Sequence, residues 1–387
     1  MLIGQKVTVV GAGIAGLAVA RALALRGAAV TVLEQADVLR EVGAGIQISP
    51  NGARVLQALG LAVDGQRAVA VELRDGLDDG LVTRLDVGRL RPDQGYHFVH
   101  RADLIGLLQA GAVEAGVEVR LLSRVASVNL GEGAMLRLAD GAAVEAGLLI
   151  GADGVHSLVR RALNGDSAPE FTGQVAWRAL IAGDRGAPVA EVHMGPGRHL
   201  VSYPLRGGSL RNLVAVEERR TWAAESWTLR DDPIALRLAF GGFSPRVRDW
   251  LAQVDEVHLW GLFRHPVAAL WQRALPQGGV AILGDAAHPT LPFLAQGAAM
   301  GLEDAWVLAA CLARHDSLAA GLAAYQQARA ARCARIVAAA AQSARAYHLA
   351  GLPRRVAHAA MRLGGWVAPD LALRRFDWLY GFDATRV

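Results

Sequence analysis

Cysteine is nearly absent from this chain of 387 residues, which contains only Cys311 and Cys333. The two lie far apart, with neither a CxxC pair nor a histidine cluster beside them. The sequence therefore predicts no disulfide framework and no metal site. Such sparse cysteine usage is typical of proteins in a reducing compartment, so we expect a cytoplasmic location.

Long apolar runs and clustered charge are also lacking. The uncharged stretch 7–20 is shorter than the ~20 residues that span a bilayer, and glycines interrupt it, so no membrane span or targeting segment is predicted. The 40 Lys plus Arg nearly balance the 36 Asp plus Glu, and the scattered arginines argue against a nucleic-acid partner. What remains is the composition of an ordinary folded protein of two or three domains.

Residues 7–34 carry the clearest pattern, VTVVGAGIAGLAVARALALRGAAVTVLE. An apolar run predicts a buried strand, a glycine-rich turn leaves room for a phosphate, and helical spacing from Ile14 leads to a second strand. The acidic residue about 20 positions after the turn completes a dinucleotide-binding unit, with the pyrophosphate at the helix N-terminus. The predicted contacts with the dinucleotide are Gly11, Gly13, Ala15, Gly16, Glu34 and Gln35.

Two more motifs lie far along the chain: GADGVHSLVRRAL at 151–163 and GDAAHPTLPFLAQGAAMGLEDA at 284–305. Together with the first unit, they resemble the single-component FAD-dependent aromatic hydroxylases, the group A flavoprotein monooxygenases. Within that group the sequence most resembles the salicylate and 6-hydroxynicotinate hydroxylase branch. The resemblance extends over nearly the whole chain.

The resemblance implies an α/β fold in which a glutathione-reductase-type FAD-binding Rossmann domain is interleaved with an antiparallel-sheet substrate domain. Period-two stretches after Phe171 independently predict an antiparallel sheet of four or five strands, and residues 231–251 are predicted to be helical. The expected FAD-binding domain comprises 1–70, 96–166 and 277–316, the substrate domain comprises 71–95 and 167–276, and the helical C-terminal region comprises 317–387.

Further cofactor contacts are predicted from these motifs. Asp285 follows a buried strand, where its carboxylate can accept hydrogen bonds from ribityl hydroxyls. Gly297 and Ala298 begin the next helix, whose N–H groups and dipole can stabilise negative charge on reduced flavin. Gly45 belongs to a second glycine-bearing loop, 41–52, expected to close over the first strand. The positions that the resemblance adds are Arg101, Val125, Asp153 and Pro292, with His288 as a structural residue of the family's HP turn.

The predicted substrate residues begin with His199 and Tyr203, which share one face of a predicted strand. The resemblance makes them candidates to deprotonate or hydrogen-bond a ring hydroxyl; the alternative is a core or interface role. Gln47 stands where hydroxynicotinate-type relatives carry a catalytic histidine, and Gln is no base near neutral pH. Arg178 is a candidate for a substrate carboxylate or a structural salt bridge. Pro292 is expected on the substrate side as well.

The resemblance implies that NAD(P)H reduces FAD, that O2 adds at flavin C4a, and that the hydroperoxide's distal oxygen is transferred to a small hydroxyaromatic ring. A second dinucleotide fingerprint is missing, which fits a transient NADH or NADPH, and the sequence favours neither. Alternatives are a ubiquinone-pathway or natural-product hydroxylase or epoxidase, a flavin NADH oxidase or redox sensor, and a plain NAD-dependent dehydrogenase. Both a monomer and a homodimer remain open.

Overall fold

A computed structural model gives the fold and describes residues 2–39, 45–90, 92–93, 95–219 and 229–387. Residues 41–44 of the predicted second glycine-bearing loop lie outside these ranges. The remainder of that loop forms a short strand and the first turn of a helix.

The strands are β1 (Lys6–Val10), β2 (Ala29–Leu33), β3 (Gly45–Ile48), β4 (Gln66–Arg67), β5 (Ala70–Asp75), β6 (Leu81–Leu85), β7 (His97–His100), β8 (Glu118–Arg120), β9 (Val125–Leu130), β10 (Ala134–Leu138), β11 (Ala143–Ala146), β12 (Leu148–Gly151), β13 (Glu170–Ala182), β14 (Val189–Gly195), β15 (Arg198–Leu205), β16 (Leu210–Glu218), β17 (Arg230–Asp231), β18 (Val257–Arg264), β19 (Gln272–Leu275) and β20 (Gly278–Ile282). The α-helices are α1 (Ile14–Ala24), α2 (Pro50–Ala58), α3 (Val87–Leu90), α4 (Arg101–Glu114), α5 (Leu158–Asn164), α6 (Pro233–Ala239), α7 (Pro245–Ala252), α8 (Gly297–Arg314), α9 (Leu318–Tyr347), α10 (Gly351–Val367), α11 (Pro369–Arg374) and α12 (Asp377–Tyr380).

A six-stranded sheet forms the nucleotide-binding side, in the order β19-β20-β12-β1-β2-β8. Its strands are parallel except β19, which runs antiparallel to β20. The apolar residues of β1, β12 and β20 are buried, as expected for central strands of a parallel sheet covered by helices on both faces. A three-stranded antiparallel sheet, β11-β10-β9, lies beside it.

An eight-stranded sheet forms the second side, in the order β17-β18-β13-β16-β15-β14-β5-β6. It is antiparallel except for the parallel pair β14 and β5. The predicted four or five strands were too few: β5 and β6 join from a distant part of the chain through the pairing of β5 with β14, and the two-residue strand β17 pairs with β18. The region predicted to be helical over 231–251 forms two helices: Gly241 and Gly242 separate α6 from α7, and Ser244 caps α7.

The C-terminal helices continue from α8. The 30-residue helix α9 packs against α8, while α10 and α11 contact β6 of the large sheet. Arg54 of α2 anchors the C-terminal end of the chain, because its guanidinium donates to the backbone carbonyl oxygens of Tyr380 at 2.8 Å and Phe382 at 3.0 Å. Among the helices described, none combines the length and apolarity that a bilayer crossing requires.

Candidate active site

One cavity of about 1440 Å³ is lined by residues of both large sheets and of the C-terminal helices. Pockets for a single small ligand usually occupy about 300–1000 Å³, so this cavity has room for a cofactor and a substrate together. It is lined by every predicted site residue except Gly16.

The glycine-rich turn forms one end of the cavity. Gly11 has a φ of +98°, and a Cβ there would lie 2.5 Å from the carbonyl oxygen of Ala152. A Cβ on Gly16 would lie 1.9 Å from the oxygen of Gly11, so this glycine allows α1 to pack against the turn. A Cβ on Gly13 would meet no protein atom within 4 Å. The backbone at Gly13 is therefore open to an anion at the N-terminus of α1, which has no side-chain cap.

Glu34 and its neighbours continue the cavity from the end of β2. The Glu34 carboxylate accepts hydrogen bonds from the backbone N–H groups of Ala12 at 2.7 Å and Ala36 at 2.9 Å. These bonds hold the side chain across the glycine-rich turn. The residues that line the same region are Gln35, Gly45, Arg101 and Val125.

The second motif is organised by hydrogen bonds around Asp153. Its carboxylate accepts from the Ser157 hydroxyl and from the backbone N–H of Leu158 at 2.8 Å, so it stabilises the start of α5. Burial raises the pKa of Asp153, although these hydrogen bonds oppose the shift. Arg160 donates to the carbonyl oxygens of Pro266 at 2.6 Å and Ala286 at 3.4 Å. The motif therefore connects α5 to the segment that carries Asp285.

Asp285 lies on a 3₁₀ turn directly after β20. Its side chain lines the cavity, deep within the protein. Burial raises the pKa of its carboxyl group, while His288, Arg101 and His265 oppose that shift. An acceptor at this depth suits a ligand hydroxyl group.

The N-terminus of α8 is fixed by the buried side chain of Gln296. Its Nε2 donates to Ser49 Oγ at 3.0 Å, and its Oε1 accepts from Asn51 Nδ2 at 3.1 Å. Gly297 and Ala298 follow and line the cavity, beside the 3₁₀ turn Pro292–Leu294. This arrangement presents free helix N–H groups to the cavity beside a loop stiffened by Pro292.

A buried set of charges lies behind this wall. Arg329 approaches Glu303 at 2.6 Å and Asp304 at 2.8 Å, and Asp304 also contacts Nε2 of His288 at 2.5 Å. Burial alone would lower the pKa of His288, but Asp304 raises it well above its ordinary value. His288, Asp304 and Cys333 lie close enough together to hold a metal ion. The raised pKa of His288 instead favours an ion pair with Asp304, because a protonated imidazole has no lone pair to offer a metal. His288 lies outside the cavity lining, in keeping with a structural role.

His199 and Tyr203 form the other end of the cavity. Both side chains line it together with Val201, from the same face of β15. His199 is buried, with the Phe293 ring centroid 5.6 Å away. Burial raises the pKa of Tyr203, so its hydroxyl stays protonated and can donate a hydrogen bond.

Two other predicted substrate residues also line this end. Gln47 accepts a hydrogen bond from the Tyr96 hydroxyl at 2.7 Å, which orients its amide group. The Arg178 guanidinium lies over the Trp260 ring, 4.4 Å from the ring centroid, in a cation–π contact. The arginine is therefore held in place while its side chain borders the cavity.

Sequence reasoning missed several residues at this end. Tyr347 from α9, Met361 from α10 and Tyr380 from α12 line the cavity, and His348 contacts His199 from behind the lining. These residues lie in the Ala- and Arg-rich C-terminal region, whose spacing predicts helices but not which face meets the sheet. Only the folded chain brings His348 to within bonding distance of a residue 149 positions earlier.

The sequence pattern of the family described as "FAD binding domain" matches residues 5–340. The chain belongs to this family. A 3-amino-4-hydroxybenzoate 2-monooxygenase of Streptomyces platensis is 35% identical over 400 residues, covering 99% of this chain and 97% of the relative. A 3-hydroxybenzoate 6-hydroxylase of Polaromonas naphthalenivorans is also 35% identical, over 97% of this chain and 96% of its own.

The fold of this family member agrees with solved structures. A salicylate hydroxylase in complex with its substrate superposes with a TM-score of 0.79 at 24% identity, covering 99% of this chain and 97% of the other. The predicted glutathione-reductase-type fold is confirmed, as is the family resemblance. The chain is an FAD-dependent flavoprotein monooxygenase.

Proposed function

We propose that this monooxygenase hydroxylates a hydroxybenzoate, a phenol that bears a ring carboxylate. The observation that carries the proposal is that one cavity joins the phosphate-binding turn, Asp285 and the start of α8 to the His199–Tyr203 face. The activities printed for the relatives support the same substrate class. NADH or NADPH is the transient reductant and O2 the oxidant.

The residues on the nucleotide side fit FAD. Gly11 and Gly13 with the N-terminus of α1 receive the pyrophosphate, and Glu34 with Gln35 receives the ribose. The proposed neighbours of the rest of the cofactor are Gly45, Arg101, Val125, Asp285, Pro292, Gly297 and Ala298. Bound FAD supplies hydride acceptance and oxygen activation. Ala15 supports this site by packing against Gly284 and Gly301, and Asp153 supports it through α5.

The residues on the substrate side position and activate the phenol. His199 accepts the proton of the ring hydroxyl, and Tyr203 donates a hydrogen bond to the resulting oxygen, which raises the electron density of the ring. Arg178 receives the carboxylate as an ion pair, held by Trp260. The Tyr96 hydroxyl donates to the carbonyl oxygen of Gln47 and orients the amide, whose NH2 group can donate a hydrogen bond to a substrate. Phe293 and Tyr347 keep water from the ring.

We propose the same domain division as the sequence predicts: 1–70, 96–166 and 277–316 for FAD, 71–95 and 167–276 for the substrate, and 317–387 as a helical region. The assignment of β5 and β6 to the large sheet supports it. A cytoplasmic location is proposed because the reaction consumes a nicotinamide cofactor and both cysteines are free thiols. The enzyme acts as a monomer or a homodimer.

The experiment is a substrate panel on the purified yellow protein. NADH and NADPH oxidation are followed with 3-hydroxybenzoate, 3-amino-4-hydroxybenzoate, salicylate and unsubstituted benzoate, while H2O2 and hydroxylated product are quantified. We expect a hydroxybenzoate to stimulate oxidation with little H2O2 and to yield a hydroxylated ring. Oxidation that produces only H2O2 with every compound would instead identify an NADH oxidase and contradict the proposal.

A further inference from the structure

A chain of three titratable side chains leads from the cavity to solvent. Nδ1 of His199 lies 2.7 Å from Nε2 of His348, and Nδ1 of His348 lies 2.8 Å from Oε1 of Glu218. The His348 side chain is only 2% exposed, whereas that of Glu218 is 53% exposed. The three groups therefore form a continuous path from a cavity-lining ring to bulk water.

Hydrogen-bond chemistry fixes the proton on each ring. A carboxylate only accepts, so Nδ1 of His348 carries a proton and donates it to Glu218. In the neutral ring, Nε2 of His348 is then an acceptor, which requires Nδ1 of His199 to be the donor. The lone pair of His199 is thus on Nε2, the ring nitrogen that His348 does not use. Glu218 sets the tautomer of a cavity residue two groups away.

We propose that Glu218 and His348 are positioning residues that make His199 a base and carry the substrate's proton to solvent. This inference rests on the proposed hydroxylation of a phenol. The phenol O–H bond breaks as a bond forms to Nε2 of His199. The Nδ1 proton of His199 passes to Nε2 of His348, and the Nδ1 proton of His348 passes to Glu218, which releases it to water. Protonation of the product drives the same steps in reverse and restores both tautomers.

The surroundings keep both rings neutral between transfers. Burial and the neighbouring His348 lower the pKa of His199 well below its ordinary value. Burial also lowers the pKa of His348, with Glu218 opposing and Arg198 reinforcing the shift. Beside His199 lies Tyr347, whose pKa burial raises to about 12, so it does not compete for the proton.

The backbone holds the relay in register. The carbonyl oxygen of His348 accepts from the N–H of Gly197 at 3.1 Å, and the carbonyl oxygen of Gly197 accepts from the N–H of Glu218 at 2.9 Å. Glu217, the adjacent residue on β16, instead pairs with Arg198 at 3.3 Å and Arg219 at 3.2 Å. Glu217→Gln therefore removes a carboxylate from the same strand while leaving the three relay groups and the charge of Arg198 in place, and it is the matched control.

The first test measures the tautomers directly, in FAD-loaded protein without substrate. ¹⁵N NMR of histidine-labelled protein at pH 7 is expected to show His199 and His348 neutral and protonated at Nδ1. In Glu218→Gln the amide oxygen can still accept a hydrogen bond from His348 but cannot take up a proton, so the His199 tautomer is expected to stay the same. In His348→Ala the hydrogen-bond partner of His199 is gone, so the tautomer preference of His199 is expected to be lost. A His199 ring protonated at Nε2 in the wild type would overturn the proposal, whatever the enzyme hydroxylates.

The second test follows the proton. The holoenzyme is mixed with 3-hydroxybenzoate without reductant, and phenolate formation is recorded by ultraviolet stopped flow in H2O and D2O. General acid–base groups contribute about 10²–10⁴-fold, so we expect Glu218→Gln to slow phenolate formation by about tenfold or more and to increase the solvent isotope effect. In His348→Ala, phenolate formation is expected to be slow and to be accelerated by added imidazole. In the control Glu217→Gln, its rate is expected to stay within about twofold of the wild-type rate.

The outcomes separate the two proposals. Wild-type phenolate rates in both Glu218→Gln and His348→Ala would overturn the relay even if hydroxylation occurs. A wild-type enzyme that neither binds nor hydroxylates any hydroxybenzoate would overturn the proposed function, while the tautomers measured without substrate still support or overturn the assignment of Glu218 and His348.

Discussion

At the scale of single residues, Gly13 and Gly16 differ in what surrounds them. We expect Gly13→Ala to leave the stability of the FAD-free protein nearly unchanged, because its Cβ meets no protein atom within 4 Å, but to weaken FAD binding. Gly16→Ala is expected to destabilise the fold itself, since its Cβ would lie 1.9 Å from a backbone oxygen. Urea unfolding of FAD-free protein and FAD titration separate the effects. Equal losses of stability in both variants would contradict this distinction.

His199 and Tyr203 are expected to affect turnover without affecting FAD retention. His199→Ala removes the proposed base and should lower kcat by about 10²–10⁴-fold. Tyr203→Phe removes a single hydrogen-bond donor and should cost less. Absorbance at the flavin maximum measures retention, and coupled product formation measures turnover. Full coupled turnover in both variants would show that the substrate is activated elsewhere.

The lowered pKa of His199 also predicts a dependence of stability on pH. The unfolded chain protonates this histidine below about pH 6.5, whereas the folded protein resists protonation, so folding stability falls as pH drops through that value. Replacing the ring with Asn is therefore expected to reduce the loss of stability between pH 7 and pH 5.5. Urea unfolding at the two pH values tests this. An unchanged pH dependence would mean that the buried ring titrates normally.

At the scale of elements, α8 and α9 are joined by the buried charges around Arg329. Arg329→Met leaves Asp304 and Glu303 with one fewer cation each, and removing one partner of a buried pair typically costs about 3–5 kcal/mol. Arg345 is exposed on the same helix, so Arg345→Met should change the unfolding free energy by less than about 0.5 kcal/mol. Chemical denaturation compares the two, and similar losses would argue against an essential ion pair.

Some elements of the fold could be predicted from local sequence patterns, and others could not. The turn at 11–16, the strand before Asp285 and the helix beginning at Gly297 were all predictable, because strand, glycine and helix signals follow one another locally. The parallel pairing of β5 with β14 was not, because it joins segments more than 100 residues apart. The contact between His199 and His348 was hidden for the same reason. Local patterns therefore predict the elements of the proposed cofactor site better than those of the proposed substrate site, which long-range packing assembles.

At the scale of the whole molecule, FAD binding and folding are linked. A ligand that binds only the folded state at 100 times its Kd adds about 2.7 kcal/mol to the unfolding free energy. We expect the melting temperature to rise with added FAD in the wild type, and Asp285→Ala to reduce that rise by weakening FAD binding. Differential scanning calorimetry over a range of FAD concentrations provides the measurement. The same rise in Asp285→Ala as in the wild type would exclude its carboxylate from the cofactor site.

The order of the strands in the six-stranded sheet has a consequence for how the protein is made. β1 and β2 leave the ribosome early, but their sheet is completed only when β19 and β20 have been synthesised, after all eight strands of the large sheet. Any part of this sheet that folds on the ribosome therefore has an unpaired edge at β12 until β20 has been synthesised. An mRNA truncated before codon 278 yields a polypeptide with the full glycine fingerprint but without Asp285, and hence without the complete cofactor site that we propose.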